Sequence, residues 1–484
     1  MSELILLSEQ LISLVWEHGF AVLGWVIAIV AFVLVPFRRP AAEARSWLLI
    51  FFALPWLALV IYWVIGRPHY AKERRDRFRQ LPQLLAQVAD LTDARICTQC
   101  LELSADNVAV SRLVEGLGQF PAVAGNQVEL LSEYDGFYVQ LIADINAAQS
   151  HIHLEFYIFS NDAIGDRIMS ALERASQRGV SCRVLVDGLG SYGSIYQIKR
   201  RLRRSGVEMH DILPLHRRWN SSRFDLRNHR KIAVIDGRVG YTGSQNIWDP
   251  AQSSRRSNQE LVVRLQGAAV GQLQTIFIAD WYLETLEELT DHRLFPEPTY
   301  EHNQAVQVLA SGPDFPEGGV DLVFTQAMHN AAHEIVIVTP YFIPNDALLS
   351  AIKSAVIGGV EVHLILAKRS DHKLVGLAQR SYYAELLSVG AQIHLFGPDF
   401  LHAKHFRVDN EVCIIGSSNM DLRSFELNAE IDLICFGEEV TEELQSLEAS
   451  YLERSEELTL DDWKKRSLAS KVLENSARLL GDLI

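Results

Sequence analysis

Two stretches decide how this chain is read: His229–Asn246, HRKIAVIDGRVGYTGSQN, and His402–Asn419, HAKHFRVDNEVCIIGSSN. Both run His, any residue, Lys, four residues, Asp, six residues, Gly-Ser-x-Asn, so the separation of His from Asn is identical in the two copies. A pattern this specific occurring twice points to one active site contributed in halves.

In the first copy Asp236-Gly237 separates the apolar runs Ile232–Ile235 and Val239–Thr242, a strong hairpin signal, and Asp409-Asn410 plays the same part in the second. The spacing then predicts that each His and Lys lie two apart on one strand, with both side chains on the same face. An imidazole beside an ammonium suits an anionic phosphodiester. Lys231 and Lys404 supply fixed charge to its oxygens, while His229 and His402 can attack phosphorus when neutral or deliver a proton when charged. Ser244, Asn246, Ser417 and Asn419 of the Gly-Ser-x-Asn ends offer hydroxyls, amides and backbone N–H groups to substrate. Asp236 and Asp409 complete each motif and are counted with its catalytic set, although an Asp at this point of a hairpin also reads as a turn former. No metal or other cofactor is expected, because magnesium requires clustered carboxylates and the lysines would repel it.

Outward from the motifs, strand-like and helix-like segments alternate. His151–Phe159, Ala163–Gln177 and Val180–Val186 read as strand, helix, strand, and the order returns in Ile335–Phe342, Asp346–Val356 and Val360–Leu366. Lys373–Ser388 and Ala391–Phe396 add a helix and a strand. Setting Tyr157 against Tyr341 aligns Asn161-Asp162 with Asn345-Asp346, which makes the pattern an internal repeat. The expected fold class is α/β: two similar α/β domains packed pseudo-symmetrically, over residues 125–300 and 301–484.

The remainder divides into residues 1–70 and a polar, helical connector over 71–124. Phe20–Val35 and Trp47–Ile65 are charge-free apolar runs, the second long enough by itself to span a bilayer, and they predict a hairpin of two transmembrane or re-entrant helices. Pro55 is tolerable in such a helix. No basic segment precedes the first run, which argues against a cleaved signal peptide. Arg38, Arg39 and Arg45 lie between the runs, while Arg67, Lys72, Arg74, Arg75, Arg77 and Arg79 follow the second. That excess favours a cytoplasmic catalytic region, whereas the amino terminus, free of basic residues, argues the other way.

A net charge of −15 over 484 residues argues against a general nucleic-acid binder. Two local basic clusters stand out: Lys199 to Arg204 fits either an anionic lipid surface or a solvated helix face, and His216-Arg217-Arg218-Trp219 with Arg223, which leads into His229, reads as facing an anionic membrane. Cys97 and Cys100 form a lone C-x-x-C without further ligands at zinc spacing, and they read as two unrelated thiols.

The paired His-Lys-Asp motifs resemble those of the phospholipase D superfamily. With the two apolar runs in front and Asp280-Trp281 closing the first half, the chain is similar over nearly its whole length to bacterial cardiolipin synthases. The resemblance implies a bacterial inner-membrane phosphatidyltransferase that joins two phosphatidylglycerols into cardiolipin and glycerol. It also implies a phosphohistidine on His229, with His402 as general acid for the departing alcohol. The motif alone specifies only a phosphodiester, so a membrane phosphodiesterase that uses water and releases phosphatidate is the alternative. Triad logic adds a carboxylate behind each imidazole. Glu260 follows His229 at nearly the distance at which Glu430 follows His402, in matching N-x-E-hydrophobic settings.

Overall fold

The computed structural model describes the chain except for residues 1–18, 40, 67–71, 93–102, 119, 215–224, 251–256, 299–301, 314–318 and 480–484. The Cys97/Cys100 pair, the His216–Trp219 segment with Arg223, and Arg67 lie outside the described residues.

Fifteen strands follow one another across a long sheet: β1 Val123–Leu131, β2 His151–Phe156, β3 Ser181–Asp187, β4 Glu208–Ile212, β5 Ile232–Ile235, β6 Val239–Gly243 and β7 Val262–Gln266, then β8 Gln304–Ser311, β9 Glu334–Thr339, β10 Glu361–Ala367, β11 Gln392–Phe396, β12 His405–Val408, β13 Val412–Gly416, β14 Asn428–Phe436 and β15 Ser455–Leu458. Their spatial order is β15-β11-β10-β9-β12-β13-β14-β8-β1-β7-β6-β5-β2-β3-β4. Read outward from the centre, β1-β7-β6-β5-β2-β3-β4 mirrors β8-β14-β13-β12-β9-β10-β11. The two halves are joined edge to edge by antiparallel pairing of β1 with β8, with Val123 opposite Val306. The internal repeat therefore builds one pseudo-symmetric sheet, with β2 and β3, like β9 and β10, paired in parallel as crossover units require.

The ladders correct the register of the repeat by one residue. Glu155 pairs with Ile232, and Val338 pairs with His405, the residue equivalent to Ile232, so β2 matches β9 as His151–Phe156 on Glu334–Thr339. Phe159 then corresponds to Phe342, and Tyr341 to Ile158 rather than to Tyr157. The helix caps agree: Asp162 accepts from Gly165 N and Asn345 from Leu348 N. The aromatic residues near the strand ends made the other alignment look equally good.

The two motif hairpins form as expected. Asp236 and Gly237 adopt φ of 53° and 64°, and Asp409 adopts 48°, the left-handed region that Asp and Gly enter most readily. The segment carrying each His and Lys lies between strand pieces and not within one strand, at residues 229–231 and 402–404.

The amino-terminal apolar runs differ from expectation. The first forms helix α1 over residues 19–34. The second is split into α2 (Ala41–Ala53) and α3 (Pro55–Ile65) at Leu54. Pro55 occupies the first turn of α3, lacks an N–H and clashes with a helical carbonyl behind it, so it divides the run in place of continuing it. Among the described residues, no helix is long and apolar enough to cross a membrane. The three helices pack on one another through Trp47, Ala58 and the Phe20–Trp56 ring stack, with centroids 4.5 Å apart. Arg39, one of the basic residues between the runs, is buried against Glu43 at 2.7 Å. Phe20, Trp25, Ile29, Phe32, Phe52 and Trp63 nevertheless remain exposed.

The connector is helical as predicted, with α4 (Lys72–Thr92) and α5 (Ala105–Gly118). Leu81, Leu84 and Val88 of α4 pack on Phe277 and Trp281 of the first half.

Candidate active site

A short strand, Arg227–Asn228, precedes the first motif and pairs in parallel with Asn428–Ala429 of the opposite half. Its counterpart Phe400–Leu401 pairs with Asn258–Gln259. Each crossing carries a histidine onto the other half's glutamate-bearing strand, where His229 N donates to Ala429 O and His402 N to Gln259 O, both at 2.8 Å. The carboxylates therefore act across the halves. His229 Nδ1 lies 2.8 Å from Glu430 Oε2, and His402 Nδ1 lies 2.8 and 2.9 Å from the two oxygens of Glu260. This exchanges the partners that position in sequence suggests, because the crossing strands override distance along the chain.

Each glutamate is held by matching donors. Ser244 Oγ donates to Glu260 at 2.6 Å and Asn258 Nδ2 at 3.0 Å. Ser417 Oγ donates to Glu430 at 2.5 Å and Asn428 Nδ2 at 3.2 Å. Ser424 Oγ adds a further bond to Glu430 at 2.9 Å. The two motif serines also accept from Leu261 N and Ile431 N, so their hydroxyls serve the carboxylates and not a ligand. Asn258 and Asn428 are the first letters of the repeated N-x-E pattern, to which the sequence alone assigned no role.

Asp236 and Asp409 do not join the site. Asp236 accepts from the N–H groups of Gln149, Ser150 and His151 at 2.7–3.0 Å. Asp409 does the same for Ala332, His333 and Glu334 at 2.8–2.9 Å. Each staples its hairpin turn to the start of the neighbouring strand, at the end of the hairpin away from the motif histidine. Their place in the motif is architectural.

A cavity of about 410 Å³ opens over both imidazoles and is lined by Tyr157, Asn246, Trp248, Asn419, Asp421 and Arg423 among others. Lys231 and Lys404 are 2% exposed, and each donates to the carbonyl of the histidine two residues before it, at 2.6 Å. Burial lowers Lys231 to about 7 and Lys404 to about 8, since few groups repay a desolvated ammonium. An anion bound beside them would favour the charged form of each.

The two imidazole pairs differ. Burial, with the two lysine charges, pushes His229 well below the usual range, and burial raises Glu430. Burial also lowers His402, but the Glu260 charge opposes it. For Glu260 burial is outweighed by the charge and hydrogen bond of His402, and the carboxyl falls to about 2. Both imidazoles are thus lowered by burial, and only for His402 does a carboxylate charge rank next among the causes and oppose the shift.

Asp280, noted beside Trp281, forms a buried ion pair with Arg230. Arg230 Nε also donates to Glu430 O at 3.1 Å, which ties this pair to the backbone of the site. Of the basic cluster on Ile195–Arg204, Lys199 pairs with Asp211, and Arg201 with Asp166 and Glu173. Those two charges are structural.

A family model described as "Cardiolipin synthase, PLD-like domain" matches residues 141–281 and 324–449. The chain is 33% identical to "Cardiolipin synthase A" of Proteus mirabilis, over 96% of this chain and 99% of that one. It is also 33% identical to the protein of that name from Edwardsiella ictaluri, over 90% and 92%. The phosphatidylserine synthase structure from Haemophilus influenzae superposes with a TM-score of 0.62 at 15% identity, covering 78% of this chain and 100% of that one, and so shares the fold. With both PLD-like regions matched and its relatives covered almost end to end, the chain belongs to the cardiolipin synthase family of phospholipase D-like proteins.

Proposed function

We propose that the protein joins two phosphatidylglycerol molecules into cardiolipin and glycerol through a phosphohistidine on His229. As a member of the cardiolipin synthase family the chain is a phosphatidyltransferase. The observation that carries the mechanism is the pair of imidazoles facing one cavity, each oriented through Nδ1 by a buried carboxylate of the other half. That leaves Nε2 of each ring for the substrate. His229 Nε2 attacks phosphorus, the bond to the headgroup oxygen breaks, and His402 gives its proton to the departing glycerol. The headgroup hydroxyl of a second phosphatidylglycerol then returns that proton to His402 while its oxygen displaces His229. One phosphodiester replaces another, so no nucleotide is consumed. Lys231, Lys404, Asn246 and Asn419 bind the phosphoryl oxygens.

On the same reading the site works at a bacterial inner membrane, and the amino-terminal helices support this. Their exposed Phe20, Trp25, Ile29 and Phe32 form an apolar face suited to lipid, whether the segment spans the bilayer or enters it part-way. The greater number of basic residues after the second run favours a cytoplasmic catalytic region on this reading, against an amino terminus free of basic residues.

Incubating purified protein with phosphatidylglycerol in detergent tests the reading. Cardiolipin and glycerol are expected, and phosphatidate as the sole product would establish hydrolysis instead. Labelled lipid bound covalently to a His229→Asn variant would overturn the assignment of the nucleophile.

A further inference from the structure

The helix Ile195–Arg204 carries three charges that its ion pairs do not use. Lys199 and Arg201 are held by acids, whereas Arg200, Arg203 and Arg204 are exposed, and their side chains have no partner among the described residues. Counted from Tyr196 they stand at i+4, i+7 and i+8, which gathers all four side chains on one face, opposite the buried Ile198 and Leu202. Lys199 and Arg201 flank that face. A helix face kept merely in solvent accounts for the arginines but not for the rings beside them. Leu189, Tyr192 and Tyr196 are 44%, 66% and 75% exposed, and they lead into the arginines along the chain.

This patch adjoins the cavity through the loop that leaves β3. Asp187, the last residue of that strand, accepts from Leu189 N and Gly190 N at 2.8 and 2.9 Å and pairs with Arg227 at 3.5 Å. Ser191 Oγ donates to Tyr157 O at 3.1 Å, and Gly190 lies so close to the Tyr157 backbone that a Cβ there would clash. Arg227 and Tyr157 both line the cavity, and the Tyr157 ring stands 5.1 Å from that of His229. The loop is therefore fixed to two walls of the site while its own apolar side chains face outward. In the second half, Leu374 is exposed next in the helix to Val375, another residue of the cavity lining.

We propose that Leu189, Tyr192 and Tyr196 with Arg200, Arg203 and Arg204 form a docking surface for an anionic phospholipid bilayer, which seats the mouth of the cavity on the headgroup layer. The inference rests on the phosphatidyl-transfer reading above. Tyrosine rings suit the headgroup level, with an apolar body toward the chains and a hydroxyl toward water. Arginines with no acid to hold them are free for lipid phosphates, and on a chain of net charge −15 such a patch is a local exception that matches an anionic surface. Apolar contact and charge together bind a bilayer where either alone is weak. The phosphodiester of the substrate lies in the same layer as the phosphates the arginines would meet, so docking there brings it to the cavity.

The test is photo-crosslinking of the full-length enzyme carrying p-benzoylphenylalanine in place of Tyr196, reconstituted in vesicles of phosphatidylglycerol and phosphatidylethanolamine or of phosphatidylcholine alone. A lipid adduct is expected in the anionic vesicles. Its yield should fall at least about fivefold when Arg200→Gln, Arg203→Gln and Arg204→Gln are combined, the least that one basic residue at an anionic surface contributes, and likewise in the neutral vesicles. Salt should lower the yield of the parent protein and hardly that of the combined variant. Arg238→Gln, which removes an exposed charge at the turn of the first motif hairpin, should leave the yield unchanged. No lipid adduct, an adduct to a second copy of the chain, or a yield indifferent to the three arginines would overturn the docking surface. The lipid products of the same vesicles judge the underlying reading separately: phosphatidate without cardiolipin would overturn phosphatidyl transfer while a charge-dependent adduct still upheld the surface.

Discussion

Replacing Glu260 by Gln separates the crossed arrangement from the one suggested by sequence position. Glu260 is 1% exposed, and its oxygens lie 2.8 and 2.9 Å from His402 Nδ1, so little solvent screens the pair. Gln keeps an oxygen to accept from Nδ1–H but removes the charge. A hydrogen bond to a charged group contributes about 1.5–3 kcal/mol, so proton delivery by His402 should slow roughly 10- to 150-fold. Without the carboxylate His402 also loses its proton at lower pH, so the defect should grow as the pH rises. The assay is the pre-steady-state formation of lipid adduct from two donors, one releasing glycerol and one releasing p-nitrophenol. Nitrophenolate needs no proton to depart, so the Glu260→Gln defect should shrink with that donor. Glu430→Gln acts on His229 and should slow both donors alike. The reasoning fails if Glu260→Gln is equally slow with both donors while Glu430→Gln is rescued by nitrophenol.

Three further outcomes follow from the geometry. Asp236→Ala should lower stability by about 1–3 kcal/mol through the loss of three hydrogen bonds to a carboxylate and an Ala at φ of 53°, read by chemical denaturation, while turnover per folded molecule holds. Binding of a soluble phosphodiester analogue should weaken as the pH rises through 7 and 8, because Lys231 and Lys404 lose their protons there. Calorimetry in buffers of different ionisation enthalpy should show proton uptake on binding near pH 8. Arg230→Ala should cost about 3–5 kcal/mol by leaving Asp280 buried without its cation, and adding Asp280→Ala should recover part of that in denaturant titrations. The second half places Ala403 where Arg230 stands, so the fold itself does not require the pair.

The chemistry of the site was legible in local sequence because it depends on residue type and short spacing. Two His-x-Lys pairs at equal distance from Gly-Ser-x-Asn identify imidazoles, ammonium groups and hairpins without reference to the rest of the chain. The helix Ala163–Gln177 and the strands around it were equally plain, since their apolar periods of 3.6 and 2 are local properties. The resemblance to the cardiolipin synthase family rested on those same residues and was met by the comparisons.

Long-range pairing decided the rest. The short strands Arg227–Asn228 and Phe400–Leu401 carry no recognisable strand signal, yet their parallel pairing with the opposite half assigns Glu430 to His229 and Glu260 to His402. Ser244 and Ser417 look like ligand-binding hydroxyls until the fold brings a buried carboxylate within hydrogen-bond reach of each. Asp236 and Asp409 stand in the motif but point to backbone amides beyond the strand end. Pro55 shows the converse, because the run Trp47–Ile65, apolar along its whole length, is still two helices once a carbonyl and a pyrrolidine ring compete for one place. Residue types and spacing thus determined which groups do the chemistry. Only the parallel pairing of two short strands across the halves determined which group acts on which, because hydrogen-bond partners are chosen by distance in space and not along the chain.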